Sequence, residues 1–289
     1  MRLHVIDGTY ELFRAHYSRR PTRIAPDGMD VKGTLGVVSS LLGLLADPEE
    51  AVTHIAVAFD NPIESFRNDL FDGYKTGAGM DPALVAQMDL VEEATAALGI
   101  VVWSMDTHEA DDALGTAARR WGDGVDQVRI MTPDKDLGQV VVGNRIVQVD
   151  RMRRKVIDAD GVRQKNGVDP ECIPDWLALV GDTADGIPGV PGFGAKTAAT
   201  LLNRFRTIDA IPRSAFDWPA AVRGAPRLAK ALNEHREAAA LYRHLATLDC
   251  DVPLAERLVD LEWQGADREA FDLLAERLGG IAMQPQRWR

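Results

Sequence analysis

Leu3-His4-Val5-Ile6-Asp7-Gly8 opens the chain with a short apolar run that stops abruptly at an acid and a glycine. An apolar run bounded by turn residues reads as a buried strand. The pattern recurs at residues 55–59 (IAVAF), closed by Asp60, and at residues 128–131, followed by Thr132-Pro133-Asp134. Residues 100–103 read as a further strand, and an acidic cluster opens the helix after it. Helical spacing fills the gaps at residues 31–46, 82–99 and 110–121. In the second of these, Leu84, Met88, Val91, Ala94 and Leu98 share one face. Residues 146–149 and 155–157 read as a hairpin around a basic turn. This alternation predicts an α/β fold, a mostly parallel central sheet flanked by helices. Ligands of open α/β sheets bind outside the carboxyl ends of the strands, so the acids are expected to share one crevice.

Past residue 167 the character changes. Residues 169–181 read as a short helix, 186–194 as a loop rich in Gly and Pro, and 196 to about 205 as a helix. Residues 220–248 are helical with several bases, and 268–278 form a last amphipathic helix. The reading therefore divides the chain into an α/β core, residues 1–167, and a helical part, residues 168–289.

The 289 residues are 46% hydrophobic, enough for a substantial core. A net charge of −11 and a pI near 5.0 argue against a simple phosphate binder. Bound cations would reverse the local sign where the acids cluster. Cys172 and Cys250 make no metal-ligand spacing and no disulfide scaffold. His4, His16, His54 and His108 have no metal spacing either. The start of the chain lacks an apolar signal region, and no apolar run approaches the roughly 20 residues of a membrane span. A cytoplasmic protein without a membrane partner is expected. Nucleophile-elbow, Walker and dinucleotide motifs are missing.

Five segments carry the chemistry: Ile6-Asp7-Gly8, Phe59-Asp60, Glu109-Ala110-Asp111-Asp112, Thr132-Pro133-Asp134-Lys135-Asp136 and Gly181-Asp182-Thr183-Ala184-Asp185-Gly186. So many like charges in one place take up protons unless cations neutralise them. Hard oxygen ligands suit Mg²⁺ or Mn²⁺. Two such ions, roughly 3.5–4 Å apart, would stabilise the attacking and leaving oxygens of a phosphodiester. Each segment alone has a plainer reading. A strand-end Asp is commonly a helix cap or turn former, and Asp111-Asp112 at a helix start complement its dipole. Their joint placement at strand ends argues for the metal site.

In order and spacing, IDG, FD, EADD, T-x-D-K-D and GD-x-x-D-G resemble the structure-specific 5′ nucleases, the flap endonuclease and 5′–3′ exonuclease family. The chain is similar to the N-terminal 5′ nuclease domain of bacterial DNA polymerase I. The resemblance implies a PIN-like nuclease core and two Mg²⁺ (or Mn²⁺) ions. Asp7, Asp60, Glu109, Asp111 and Asp112 would hold the first, and Asp134, Asp136, Asp182 and Asp185 the second. Phe66-Arg67 and Tyr74-Lys75 resemble the approach to the family's helical arch, here near residues 66–90. Lys75 matches the lysine on the scissile phosphate, so Lys75, Asp7, Asp60 and Asp134 are the expected catalytic residues. Relatives usually carry an arginine about three residues after that lysine. Lys75-Thr76-Gly77-Ala78-Gly79 has none, which implies a shorter or more mobile arch. Phe13 stands where relatives have a base-stacking tyrosine; it suits that role or a core position equally.

Gly189-Val190-Pro191-Gly192-Phe193-Gly194-Ala195-Lys196-Thr197 resembles a helix–hairpin–helix spanning about residues 181–205. Glycines let backbone N–H groups approach phosphates. Expected DNA contacts are Phe13, Arg67, Tyr74, Lys75, Gly189, Gly192, Gly194, Lys196 and Thr197, with a K⁺ ion at the hairpin. Arg151, Arg153, Arg154 and Lys155 form a basic turn, open to two readings: a phosphate contact, or the charge common to exposed hairpins, which is favoured. The implied activity is hydrolysis of DNA with a 5′ flap, overhang or recessed end, in replication and repair. A free-standing nuclease is expected, with polymerase and ligase acting in trans. Two rivals stay open: an RNA-directed nuclease of this architecture, and a junction binder that does not cut. A phosphoacceptor signalling domain would leave the second acidic group unexplained.

Overall fold

The computed structural model describes all 289 residues. In chain order, β1 (Arg2–Asp7), α1 (Gly8–His16), α2 (Lys32–Leu45), β2 (His54–Asp60) and α3 (Phe66–Leu70) come first. Next come α4 (Pro82–Val85), α5 (Met88–Ala97), β3 (Val101–Met105), α6 (Ala110–Trp121) and β4 (Gln127–Met131). Then follow β5 (Ile146–Asp150), β6 (Lys155–Ile157), α7 (Ala159–Asn166), α8 (Ile173–Val180) and α9 (Ala195–Phe205). Last are α10 (Ala225–Glu234), α11 (Arg236–Ala246) and α12 (Arg268–Arg277).

Compactness groups these elements differently from a linear division at residue 167. One unit comprises Met1–Ser65, Gly77–Thr132 and Cys250–Arg289; the other comprises Phe66–Thr76 and Pro133–Asp249.

The first unit is built on four parallel strands. β1 pairs with β2 (Ile6 beside Val57) and with β4 (Ile6 beside Met131), and β2 pairs with β3 (Phe59 beside Ser104). Leu3, Val5, Ile6, Ile55, Val57 and Ile130 are fully buried. Helices cover both faces of such a sheet, so its strands are apolar throughout rather than alternating. The helix expected over residues 82–99 is two helices. Gln87 interrupts it, turning its side-chain amide to α2: Oε1 accepts from Thr34 N at 3.0 Å while Nε2 donates to Ala83 O at 2.7 Å. The closing segment returns to this unit, with Trp263 N donating to Thr53 O at 3.0 Å and Asp267 N to Ala97 O at 3.1 Å.

The second unit is mainly helical around Ile173, Leu177, Leu201, Leu202 and Leu232, with β5 and β6 as an antiparallel hairpin. The helix expected over residues 220–248 breaks at His235 (φ −117°), whose Nδ1 donates to Ala231 O at 2.8 Å. α7 was not anticipated. It is mostly polar and carries no apolar stripe to read, although Asp158 caps its start and Gly167 (φ +79°) ends it. No helix is long and apolar enough to cross a membrane.

Candidate metal centres

In the first unit the acids stand at the carboxyl edge of the parallel sheet. Asp7 ends β1 and caps α1. Its Oδ1 accepts from Tyr10 N at 2.8 Å, and its Oδ2 from the Thr132 hydroxyl at 3.0 Å. Asp60 ends β2; its N donates to Thr9 Oγ1 at 2.7 Å, and its Oδ1 accepts from Ala110 N at 2.7 Å. That last bond brings the start of α6 to Asp60. Glu109 is the N-cap of α6, and its N donates to Asp112 Oδ2 at 2.9 Å, as in a capping box. Ser65 Oγ donates to Glu109 Oε1 at 3.4 Å. Asp7, Glu109 and Asp112 are buried and Asp111 is half-buried on the first turn of α6. Hydrogen bonds thus set Asp7, Asp60, Glu109 and Asp112 along this edge, and Asp111 follows on the first turn of α6. Phe13 is half-buried beside Phe59, Asp60 and Met88.

In the second unit, carboxylate oxygens of Asp136, Asp182 and Asp185 all lie within 4.8 Å of one another. Local turns place them. Asp134 Oδ1 accepts from Asp136 N at 3.0 Å, and Asp182 Oδ1 from Ala184 N at 3.0 Å. Asp182 and Ile187 exchange backbone bonds of 2.8 and 2.7 Å, closing the loop. Gln148, fully buried, donates to Asp134 O. Burial first, then the charges of Asp134, Asp185 and Asp182, push the Asp136 carboxyl well above its ordinary range. Its Oδ1 is buried and has no hydrogen-bond partner, which is costly for a polar atom.

Two lysines offset part of this charge. Lys135 Nζ lies 2.6 Å from Asp182 Oδ2, and Lys75 Nζ lies 3.0 Å from Asp185 Oδ1. Burial alone would lower the Lys135 pKa, but its bond to Asp182 and the acids around it raise it. The sequence reading gave Lys135 no role; its place between two acids of T-x-D-K-D was the available signal. Thr9 and Thr132 were missed as well, because their hydroxyls find partners only once the strands are side by side. An oxygen-only donor set with an unpartnered buried Asp136 Oδ1 fits a hard divalent cation.

Lys75 is set by backbone packing. Its N donates to Asp185 O at 3.1 Å. Gly186 (φ +76°) makes this possible, since a Cβ there would fall 2.0 Å from Gly73 O. Two neighbours expected along the DNA path are turned inward. Arg67 is almost fully buried, donating from Nε to Leu245 O at 2.8 Å and from Nη2 to Thr247 O at 3.0 Å. Tyr74 is buried in the core of the second unit. A DNA contact suits neither side chain, because each is committed to the fold.

The glycine-rich turn joins α8 to α9. Gly189 (φ +74°) crosses close to Gly181, where a Cβ would meet Gly181 N at 2.5 Å, and Val190 N donates to Leu179 O at 2.9 Å. Gly192 and Gly194 are exposed, Phe193 packs inward, and Lys196 is exposed with Thr197 beside it on the first turn of α9. In the basic turn between β5 and β6, Arg153 pairs with Asp150 at 3.0 Å. Cys172 is buried, Cys250 is half-buried, and the two form no disulfide.

Parallel strands ending in acids, and a carboxylate group ahead of a glycine-rich turn, define a class, and comparison with known proteins agrees. Residues 2–167 match the N-terminal resolvase-like domain of 5′–3′ exonucleases, and residues 168–269 their C-terminal SAM fold. The chain belongs to the 5′–3′ exonuclease family. It is 31% identical over 280 residues to a 5′–3′ exonuclease of Bacillus subtilis, covering 94% of this chain and 92% of that protein. It is 37% identical over 288 residues to DNA polymerase I of Pseudomonas aeruginosa, covering 96% of this chain and 30% of that one. The chain thus spans about a third of the DNA polymerase I relatives it matches. A structure of T5 5′-exonuclease with bound zinc shares the fold, with TM-score 0.69 and 18% identity over 98% of this chain and all of that one.

Proposed function

We propose that this chain is a divalent-metal-dependent 5′–3′ exonuclease and flap endonuclease that hydrolyses phosphodiester bonds of DNA bearing a 5′ end or flap. The observation that carries the reading is the grouping of Asp136, Asp182 and Asp185 around the unpartnered Asp136 Oδ1. Membership of the 5′–3′ exonuclease family supports it. Asp7, Asp60, Glu109, Asp111 and Asp112 are the residues for one Mg²⁺ or Mn²⁺, and Asp134, Asp136, Asp182 and Asp185 for the other. Divalent cations there supply Lewis-acid stabilisation of phosphoryl oxygens and lower the pKa of a water. Asp185 holds the Lys75 ammonium, which offsets charge on the scissile phosphate as it develops. Phe13 offers a π face to a terminal base, worth about 1–3 kcal/mol. Backbone N–H groups at Gly189, Gly192 and Gly194, with Lys196 and Thr197, hold duplex phosphates without reading sequence. Carbonyls of that turn suit K⁺. The products are a 5′-phosphate and a 3′-hydroxyl. The setting of this scheme is replication and repair, where polymerase and ligase activities complete the repair of the cut strand.

Cleavage of a 5′-labelled flap duplex in Mg²⁺, Mn²⁺ and EDTA tests the proposal. Metal-dependent cutting near the junction, absent in Asp134→Ala, is expected. Tight binding without cutting in either metal sinks the enzyme reading in favour of a junction binder. Preferential cutting of a matched RNA flap would redirect the substrate assignment.

A further inference from the structure

The second unit carries cations that its acids do not neutralise. Arg163, Arg206 and Arg243 each form ion pairs with carboxylates at 2.5–2.7 Å. Arg213, Arg223 and Arg227 are exposed and have no carboxylate within ion-pair distance, and Lys230 has only Glu234, at 3.8 Å. In a chain of net charge −11, four cations share residues 213–230 with a single acid, Asp217.

These cations sit on a body continuous with the glycine-rich turn. A Cβ on Gly192 would lie 3.3 Å from the Leu228 side chain and 3.7 Å from Arg227 Nη2. The ring of Phe193 meets that of Trp218 edge to face, centroids 6.4 Å apart. Trp218 follows the short turn Ala215–Asp217, which Ser214 caps. Asn233 of α10 ties the same stretch down by donating to Arg213 O at 2.9 Å. On that turn Phe216 is fully exposed. It borders a cavity of about 510 Å³ that Arg213, Pro226, Ala229 and Lys230 also line. Arg227 and Lys230 are three apart on α10, so they neighbour each other on the helix surface.

We propose that α10 and the Phe216 turn form a second DNA-backbone surface that continues the one at the glycine-rich turn. Arg227 takes a phosphate next to those held at Gly192. Lys230 and Arg213 take phosphates farther along the same duplex arm, and Phe216 packs against deoxyribose. Guanidinium groups without internal partners suit phosphate oxygens, and nothing here reads base edges, so the surface is indifferent to sequence. This rests on the nuclease reading above, and extends its DNA contact beyond the hairpin.

The test is binding of a fluorescent duplex to the full chain in EDTA, at several salt concentrations and two lengths of duplex arm. The combined variant Arg213→Gln, Arg227→Gln, Lys230→Gln should bind the long arm more weakly. Its slope of log affinity against log salt should be shallower by roughly one per replaced cation. Phe216→Ala should weaken long-arm binding with the slope unchanged. Shortening the arm should cost the wild type more than either variant. Arg257→Gln, whose partner Asp260 lies 2.8 Å away in the first unit, should change none of this. All replaced side chains are exposed, and unchanged melting temperatures will show that folding is intact. Wild-type affinity and slope in the triple variant overturn the surface, and would turn it towards an acidic protein partner. Failure of the wild type both to bind any duplex and to cut the labelled flap in Mg²⁺ or Mn²⁺ would overturn the nuclease reading with it.

Discussion

The two acidic groups differ in what else their carboxylates do. In the first unit Asp7, Asp60 and Asp112 accept from backbone N–H groups, and Asp7 caps a helix. These acids hold α1 and α6 in place, so their charge is partly satisfied by the fold. In the second unit Asp134 and Asp182 accept from N–H groups of their own turns, Asp182 and Asp185 face lysines, and Asp136 has a buried oxygen unpartnered. The first group ties separate elements of the fold together. The second stores like-charge repulsion that a cation would relieve.

The largest effect should come from Asp136→Asn. Cleavage should fall by at least about 100-fold, as losing a ligand carboxylate implies, and Mn²⁺ binding measured by calorimetry should weaken. The metal-free melting temperature should not drop, since the amide removes a buried charge. A fall of several degrees would break the comparison. Asp7→Ala should also stop cleavage, but with a stability cost of about 1–2 kcal/mol in metal-free urea unfolding, because a cap is lost. Equal stability of the two variants would erase the distinction.

Lys135→Gln sharpens the contrast further. With its ammonium gone from Asp182, divalent affinity should rise several-fold and metal-free stability should fall slightly. Weaker metal binding would mean that the lysine positions Asp182 rather than competing for it. The smallest effect lies away from both groups, at Glu50. Burial opposes its ionisation, but hydrogen bonds from His4 and Arg129, and the charge of Arg129, outweigh it and hold the carboxyl at about 2 against an ordinary 4.5. Its contribution is therefore complete above pH 4.5 and lost as the pH falls through about 2. Stability of Glu50→Gln should vary less over that interval, and an unchanged acid limb in denaturant titrations would count against the pairing.

Local features were legible in the sequence. Strands β1 and β2 end in acids, and the abrupt change from apolar to charged residues marks both the strand end and the edge where acids gather. The break at Gln87 was not legible, because its cause is Thr34, brought near only by packing. Nor was the burial of Arg67. Arginine is ordinarily exposed, and the carbonyls that satisfy it lie at Leu245 and Thr247, far along the chain. The motif singles out Lys75, but neither its pairing with Asp185 nor the inward turn of Arg67 and Tyr74 could be read from it. Short-range chemistry was readable; partners distant in sequence were not.

Gly186 has a bearing on mutational tolerance. The hydrogen on its Cα faces Gly73 O so closely that a methyl group has no room, and its positive φ already disfavours other residues. A saturation scan for activity should therefore score this uncharged position as intolerant as the aspartates, although it touches neither metal nor phosphate. Its substitutions would act by prying the strip that carries Lys75 away from Asp185. A search for essential residues by charge alone would pass over it.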